Sequence, residues 1–317
     1  MNRILVTGSV GQIGSELTIY LRERYGADNV VAGGRKTKPS KELKESGPFE
    51  IVDCTDMEAI REVVDKYRID TIYHLAALLS AVAESNPQLA WNVNINGLIN
   101  VLEVAREYDC AVFTPSSIGA FGLSTPLDNT PQDTIQRPGT MYGVTKVSGE
   151  LLCDYYYKKY GVDTRGVRYP GIISYVTPPG GGTTDYAVEI FYEAIKKKKY
   201  TCFLKRGTKL DMMYMPDALK AAVDLMEADP GKLKHRNAFN VTAMSFAPEE
   251  ISAEVKRIIP DFTMDYDVDP LRQEIAESWP NYMDDTAAKD QWGWNPDYDL
   301  PAMCEDMIEK LRVKLEK

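Results

Sequence analysis

The sequence predicts an α/β fold, a doubly wound parallel sheet with a smaller C-terminal subdomain. Three observations predict it. Short apolar runs alternate with helical stretches through residue 173, the pattern of a parallel sheet with helices on both faces. Several of those runs are apolar throughout, as in strands buried on both sides. A glycine triplet follows the first run and opens the first helix.

The elements follow in order. "RILVT" (3–7) ends at glycine and reads as a buried strand. A helix is expected over 12–25. "NVVA" (29–32) and "FEIVD" (49–53) are the second and third strands, and 56–67 is an amphipathic helix. "DTIYHLAA" (70–77) is the fourth strand, and a long helix covers 87–108. "CAVFTPSS" (110–117) is the fifth strand. A helix over 141–160 precedes the sixth, "DTRGVRYP" (163–170). Beyond 173 the texture changes. "TPPGGGTTD" (177–185) is a loop, too rich in turn formers to be an element. Helices are expected over 186–198, 216–226, 248–260 and 300–315, and a strand over 237–242. The domain reading is therefore a Rossmann-type dinucleotide-binding domain at 1–173, with later strands from about 210–244 returning to it. Residues 174–209 and 245–317 form the substrate-binding subdomain.

Composition narrows the function. The 317 residues are 44% hydrophobic and 26% charged, enough for one large domain or two that share a core. Net charge is −10, and an acidic chain without a basic stripe is a poor partner for nucleic acid or an anionic membrane. "KKKK" (196–199) reads as a solvated helix end, where cations suit the dipole. Cysteines at 54, 110, 153, 202 and 304 form no CxxC or zinc spacing, so reduced thiols are expected. The two histidines, His74 and His235, argue against histidine proton relays and metal sites; His74 reads as a packed or capped strand residue. The chain opens on "RILVTG" with no leader pattern, and no apolar run is long enough to span a bilayer. A cytoplasmic protein is expected.

In "TGSVGQIG" (7–14), Gly8, Gly11 and Gly14 suit a tight turn, close backbone approach to a phosphate and close helix–strand contact. The helix start at Gln12 and Ile13 then turns free N–H groups and the positive end of the dipole toward a pyrophosphate. The acid expected about 20 residues on would bond a ribose 2′-OH and favour NAD. Gly34 stands there instead, followed by Arg35 and Lys36, which would accommodate the 2′-phosphate of NADP. Either cofactor, or both, remains open.

"YGVTK" (142–146) places Tyr142 and Lys146 on one helix face. A phenol titrates near 10, and a neighbouring ammonium favours the phenolate, which makes a base near neutral pH. Ser116 and Ser117, at the end of the fifth strand, offer hydroxyls on the ligand edge.

Together "TGSVGQIG", "HLAA" (74–77), "NVNINGL" (92–98), "PSSIGAFG" (115–122), "YGVTK" and "RYPGI" (168–172) closely resemble the extended short-chain dehydrogenase/reductases, the NAD-dependent epimerase/dehydratase superfamily. The resemblance implies a triad. Ser117 orients a substrate hydroxyl, Tyr142 takes its proton, and Lys146 tunes Tyr142 and binds the nicotinamide ribose. Ser116 would be a supporting or alternative hydroxyl. Family roles put Asp53 and Cys54 near adenine, with Leu75, Ala76, Ala77, Asn94, Tyr169 and Pro170 around the cofactor. The alternative reading of Asn94 is a bridge between backbone groups near the site.

Most of the superfamily acts on nucleotide-sugars. Here "YPGIISYVTPPGGGTTDYAVEIF" (169–191), "MMYMPDALKA" (212–221), "ESWPNYMDD" (277–285) and "WGW" (292–294) resemble the short-chain-type L-threonine 3-dehydrogenases. Gly34 departs from the acid usual in that group. The resemblance implies hydride loss from C3 of L-threonine to the nicotinamide, giving 2-amino-3-oxobutanoate, and a homodimer paired through helices at about 87–108 and 141–160. Ser80, Gly182, Thr183 and Thr184 are expected around the threonine carboxylate, with Asp185 either the ammonium's partner or a loop anchor. Met212, Met213 and Met215 read as packing, and Trp279 as a pocket cap or core residue. Residues 177–186 are expected to close over the substrate. The scarcity of histidine and of cysteine clusters argues against the zinc-dependent route. Two other readings stay open: a nucleotide-sugar epimerase, reductase or dehydratase, and a cofactor-sensing binding protein with a vestigial site.

Overall fold

The computed structural model describes residues 1–179 and 182–316. Its contacts divide the chain into two compact units. The first holds Met1–Ala120, Pro138–Arg168 and Leu219–Phe239; the second holds Phe121–Arg137, Tyr169–Ala218 and Asn240–Lys317.

In the first unit, strands β1 (Ile4–Thr7), β2 (Val30–Gly34), β3 (Phe49–Ile51), β4 (Thr71–His74) and β5 (Ala111–Phe113) are followed by a short β6 (Ser116–Ser117) and by β7 (Thr164–Arg165). Six of them form one sheet in the order β3-β2-β1-β4-β5-β7, and every pair is parallel. The order reverses at β1, so the connections that leave β1 and β4 turn to opposite faces of the sheet and leave a crevice at the carboxyl ends. The helices are α1 (Gln12–Tyr25), α2 (Lys41–Glu45), α3 (Met57–Tyr67), α4 (Ser80–Ser85), α5 (Pro87–Trp91), α6 (Gly97–Tyr108) and α7 (Met141–Tyr160).

Helix α3 illustrates how sequence makes these elements. Asp56 caps it by accepting from the Glu58 and Ala59 amides. Ile60, Val63 and Val64 recur at helical spacing and are buried. They join Leu5, Val31, Ile72 and Val112 of the sheet, and Val101 and Leu102 of α6, in one apolar core.

Three expected elements are interrupted, each for a physical reason. The 87–108 helix contains a π turn at Asn92–Asn96, where one extra residue is accommodated. The 110–117 strand breaks between β5 and β6 at Pro115, which has no N–H to give a ladder. The 163–170 strand breaks at Gly166. A side chain there would begin 2.4 Å from the Thr114 carbonyl, and the Gly166 amide donates to Arg236 O at 2.8 Å.

Beyond β7 the chain runs through β8 (Val167–Tyr169), β9 (Gly171–Ile173), α8 (Tyr186–Lys197), β10 (Lys199–Cys202), β11 (Leu210–Tyr214), α9 (Met215–Glu227), β12 (Phe239–Asn240), β13 (Met244–Phe246), α10 (Pro248–Ile258), β14 (Thr263–Tyr266), α11 (Pro270–Glu277), α12 (Thr286–Trp292) and α13 (Leu300–Leu315). The strands of 210–244 do not return to the large sheet as expected. Strand β11 pairs in parallel with β9 and antiparallel with β13. All five of its residues are buried, with Leu210, Met212 and Tyr214 in a second core beside Phe191, Phe246 and Leu311. Only 219–239 groups with the first unit, and 121–137 groups with the second. The lysine run does close a helix: Lys196 and Lys197 end α8, Lys198 takes a left-handed conformation, and Lys199 opens β10. Among the described residues no helix is long and apolar enough to cross a membrane.

Candidate active site

The glycine loop occupies the crevice at the carboxyl end of β1. Gly8 has φ +73°, and a Cβ on it would lie 2.6 Å from the Ala76 amide nitrogen. A Cβ on Gly14 would lie 2.2 Å from the Gly8 carbonyl. Only glycine fits either place. Gly11 is the N-cap of α1 and supplies no side chain to cap it. The first-turn amides at Gln12 and Ile13 thus have no side-chain acceptor from the cap, as a pyrophosphate site needs. Gly8, Gly11, Gly34, Arg35, Asp53, Cys54, Leu75, Ala76 and Ala77 line one cleft. These residues fit a dinucleotide.

At the far end of that cleft, Gly34 has a structural cause. A Cβ there would meet the Phe49 ring at 2.9 Å and Val10 at 3.3 Å. Arg35 is not free; its guanidinium pairs with Asp53 at 3.2 Å. Asp53 also accepts from the Thr55 amide and hydroxyl. Partial burial would raise its carboxyl, but the Thr55 and Arg35 bonds outweigh that and hold it below its ordinary range. Cys54 is buried. Burial and the adjacent Asp53 push its thiol up to about 11, so it stays protonated.

His74, at the end of β4, shares a 2.8 Å hydrogen bond between Nδ1 and Thr7 Oγ1. Burial, with the Lys146 charge, pushes it down to about 3, so it is neutral at working pH. Asn94 sits in the π turn and reads backbone: its Oδ1 accepts from the Leu78 amide at 2.7 Å, and its Nδ2 donates to Leu78 O and to Thr145 Oγ1. The extra residue of the turn thus ties the loop after β4 to α7. Ser80 is half-buried and opens α4.

Helix α7 carries two of the candidate catalytic side chains, Tyr142 and Lys146. Thr140 caps it, accepting from the Gly143 amide at 3.1 Å. A Cβ on Gly143 would lie 2.3 Å from the Gly119 carbonyl, and one on Gly119 would lie 3.2 Å from the Tyr142 ring. These two glycines let the start of α7 press against the turn after β6. There Ser117 Oγ accepts from the Gly119 amide at 3.1 Å. Lys146 Nζ lies 5.4 Å from the centroid of the Tyr142 ring and donates to Pro115 O at 2.7 Å. Ser117, Tyr142 and Lys146 are each half-buried.

Ser116 departs from the substrate-binding expectation. It is 5% exposed, because its hydroxyl turns inward and donates to Glu150. Glu150 pairs in turn with Arg168 at 2.8 Å. Lys146, Ser116, Glu150, Asn94 and Thr145 line a single small cavity. Sequence reasoning missed Gly119, Gly143, Glu150 and Arg168. Glu150 was within reach of it, standing four residues beyond Lys146 on the same face.

In the second unit, Tyr169 is buried and its hydroxyl donates to Ala218 O at 2.6 Å; Pro170 beside it is buried too. Thr183 is buried, and Thr184 packs its methyl close over Gly171. Asp185 Oδ2 accepts from the Gly182 amide at 2.8 Å, the loop-anchor arrangement. Gly180 and Gly181, part of the expected closing loop, lie outside the described residues. Met212, Met213 and Met215 are buried, and Trp279 packs against the second core. Among the described residues no three of His, Cys, Asp or Glu are grouped to hold a metal ion.

A parallel sheet with a glycine loop at its switch point, and a tyrosine and lysine facing a serine at the same edge, define an NAD-dependent oxidoreductase of the short-chain class. The chain belongs to the NAD dependent epimerase/dehydratase family, whose pattern matches residues 4–242. It is similar to the structure of L-threonine dehydrogenase from Clostridium difficile, at 63% identity and a TM-score of 0.98, covering 99% of this chain and 98% of that one. The L-threonine dehydrogenase from Phytophthora infestans matches at 53% identity and a TM-score of 0.94, covering 99% and 100%. An uncharacterized epimerase/dehydratase of Staphylococcus haemolyticus is 54% identical over 99% of both chains.

Proposed function

We propose that this protein oxidises L-threonine at C3 to 2-amino-3-oxobutanoate, as an L-threonine 3-dehydrogenase. The observation that carries this is the 63% identity along 99% of the chain to the Clostridium difficile L-threonine dehydrogenase. Nucleotide-sugar chemistry, the other reading of the family, has no comparable support.

The nicotinamide, when bound, supplies the hydride acceptor. This chain's residues do the rest. The glycine loop and the uncapped start of α1 hold the pyrophosphate. Ser117 orients the threonine hydroxyl, and Tyr142 takes its proton. Lys146, whose ammonium lies beside the Tyr142 ring, is placed to offset negative charge on the Tyr142 oxygen and to reach the ribose hydroxyls. The neutral His74 takes no proton. Roles for Ser80, Gly182, Thr183 and Thr184 around the threonine carboxylate rest on the sequence resemblance, whereas the Asp185–Gly182 bond favours Asp185 as a loop anchor.

NAD is the proposed cofactor in preference to NADP, because Asp53 already neutralises the Arg35 guanidinium that a 2′-phosphate would need. A homodimer paired through α6 and α7 is part of the proposal; Val144, Leu151 and Tyr155 expose apolar surface on α7. So are a cytoplasmic location and a place in threonine breakdown. The test is threonine oxidation followed with NAD and NADP side by side, with allo-threonine, serine and UDP-glucose as controls. Turnover of L-threonine with NAD is expected. Turnover of the nucleotide-sugar with none of threonine would overturn the reading.

A further inference from the structure

We propose that Ser116, Glu150 and Arg168 form a buried positioning network that reserves the Lys146 ammonium for Tyr142 and so sets the pH range of turnover. The inference rests on the roles proposed above for Tyr142 and Lys146.

Tyr142, Lys146 and Glu150 stand at successive intervals of four on α7, so all three share one stripe of the helix. Lysine and glutamate at that spacing ordinarily pair with each other. Here they do not. The Glu150 carboxylate is taken on both sides. Ser116 Oγ donates to its Oε1. Arg168 donates from Nε at 3.1 Å to Oε1 and from Nη2 at 2.8 Å to Oε2. Lys146 instead donates to the carbonyl of Pro115, the residue before Ser116.

The chain at Pro115 and Ser116, where β6 begins, is therefore tied to α7 twice, at adjacent residues and one helical turn apart on α7. The tie at Ser116 fixes the backbone that presents both the Pro115 carbonyl and Ser117. The side chains of Glu150 and Arg168 are each only 6% exposed. A buried ion pair gains little net stability over apolar packing, so stability alone does not account for one beside the reactive residues.

The other charged and titratable groups facing α7 do not replace this control. His74 on β4 is neutral. Cys153 on α7 is fully buried and its thiol is pushed well up by burial, then by Asp154 and Glu150. Asp154 bonds Asn237, Glu84 of α4 accepts from the Met141 amide at the helix start, and Glu103 of α6 accepts from Tyr156 at the opposite end. None of these has a hydrogen bond to Lys146.

Ser116→Ala tests the network while leaving the Glu150–Arg168 pair in place. Turnover is measured against pH with saturating threonine and NAD, beside the wild type, Ser116→Thr and Tyr142→Phe, with thermal melting to verify folding. In Ser116→Ala the rising limb is expected to move up by about one pH unit, with turnover at pH 7 about tenfold lower and recovered on the alkaline plateau. Ser116→Thr, which keeps the hydroxyl, should restore the wild-type limb. An unmoved limb overturns the inference, whether turnover is unchanged or falls evenly at every pH. So does a rise in the threonine KM with kcat and limb unchanged, which would mark Ser116 as a substrate contact. If wild-type turnover of threonine is absent, or Tyr142→Phe retains it, the underlying reading fails instead.

Discussion

Each of the two units is stabilised internally by different means. In the first, six parallel strands bury runs such as Ile4–Val6 and Val30–Ala32 completely, and its reactive polar groups gather at one sheet edge. In the second, the sheets have only two or three strands, and buried polar side chains staple distant loops. Asp211 accepts from Thr242 Oγ1 at 2.6 Å and from the Met283 amide at 2.8 Å. Asp217 accepts from the Asp297 and Tyr298 amides. Asn240 donates to the carbonyls of Thr130 and Asp284. The difference teaches where each unit is vulnerable. The first depends on steric clearance around glycines and, on the proposed function, on a few side chains at the sheet edge. The second depends on buried acceptors staying satisfied, and therefore on pH.

The largest effect should come from the first unit without loss of stability. Tyr142→Phe is expected to cut turnover by about 10³-fold, as for loss of a positioned proton acceptor, while NADH affinity and melting temperature stay near wild type. Comparable turnover in that variant, by steady-state rates, would break the comparison at its functional end. Next, Asp217→Ala strands two backbone amides in the second unit. It should destabilise the fold by about 2–4 kcal/mol, read by urea denaturation. A loss near zero would mean that the staple is ornamental.

Gly14→Ala sharpens the steric half. Its new Cβ would press the Gly8 carbonyl, so the NADH dissociation constant should rise about ten- to hundredfold, measured by cofactor fluorescence. Asp211→Asn sharpens the pH half. Burial pushes Asp211 up to about 8, against hydrogen bonds from Thr242 and Met283 that favour the charge. Its folded value lies above its unfolded one, so stability is fullest below about pH 4 and declines as pH rises toward 8. The asparagine stays neutral, and the Thr242 hydroxyl can turn to accept from it. Its melting temperature should therefore gain on wild type between pH 5 and pH 8. No change in the difference would assign Asp211 no pH role. The smallest effect belongs to the exposed Arg35–Asp53 pair: Asp53→Asn should shift the NADP-to-NAD ratio of kcat/KM by only about threefold.

The legibility of the chain followed the same division. The glycine loop and the Tyr142–Lys146 pair were readable because each is local, one turn of chain or one turn of helix. So were α1, α3, α7 and α13, which run unbroken, the last three behind side-chain caps at Asp56, Thr140 and Asp299. Gly143 and Gly119 were not, because their need for small size comes from a contact between segments about 24 residues apart. Arg168 meets Glu150 across 18 residues and Ser116 meets it across 34, and neither pairing leaves a local pattern. Gly34 was read as a missing acid, whereas its cause is the Phe49 ring on the neighbouring strand. In the second unit, strands β10, β13 and β14 span three or four residues. That is too short to declare a period, and their pairings join segments about 32 to 64 residues apart, such as Leu210 with Phe246 and Lys199 with Thr263.

The central claim is that the hydride leaves C3 of L-threonine. L-threonine carrying deuterium at C3, incubated with the purified protein and NAD, tests it directly. The account predicts a primary isotope effect on hydride transfer in single turnover and one deuterium in the reduced nicotinamide, read by mass spectrometry. Reduced cofactor without the label, or no reduction at all, would contradict it.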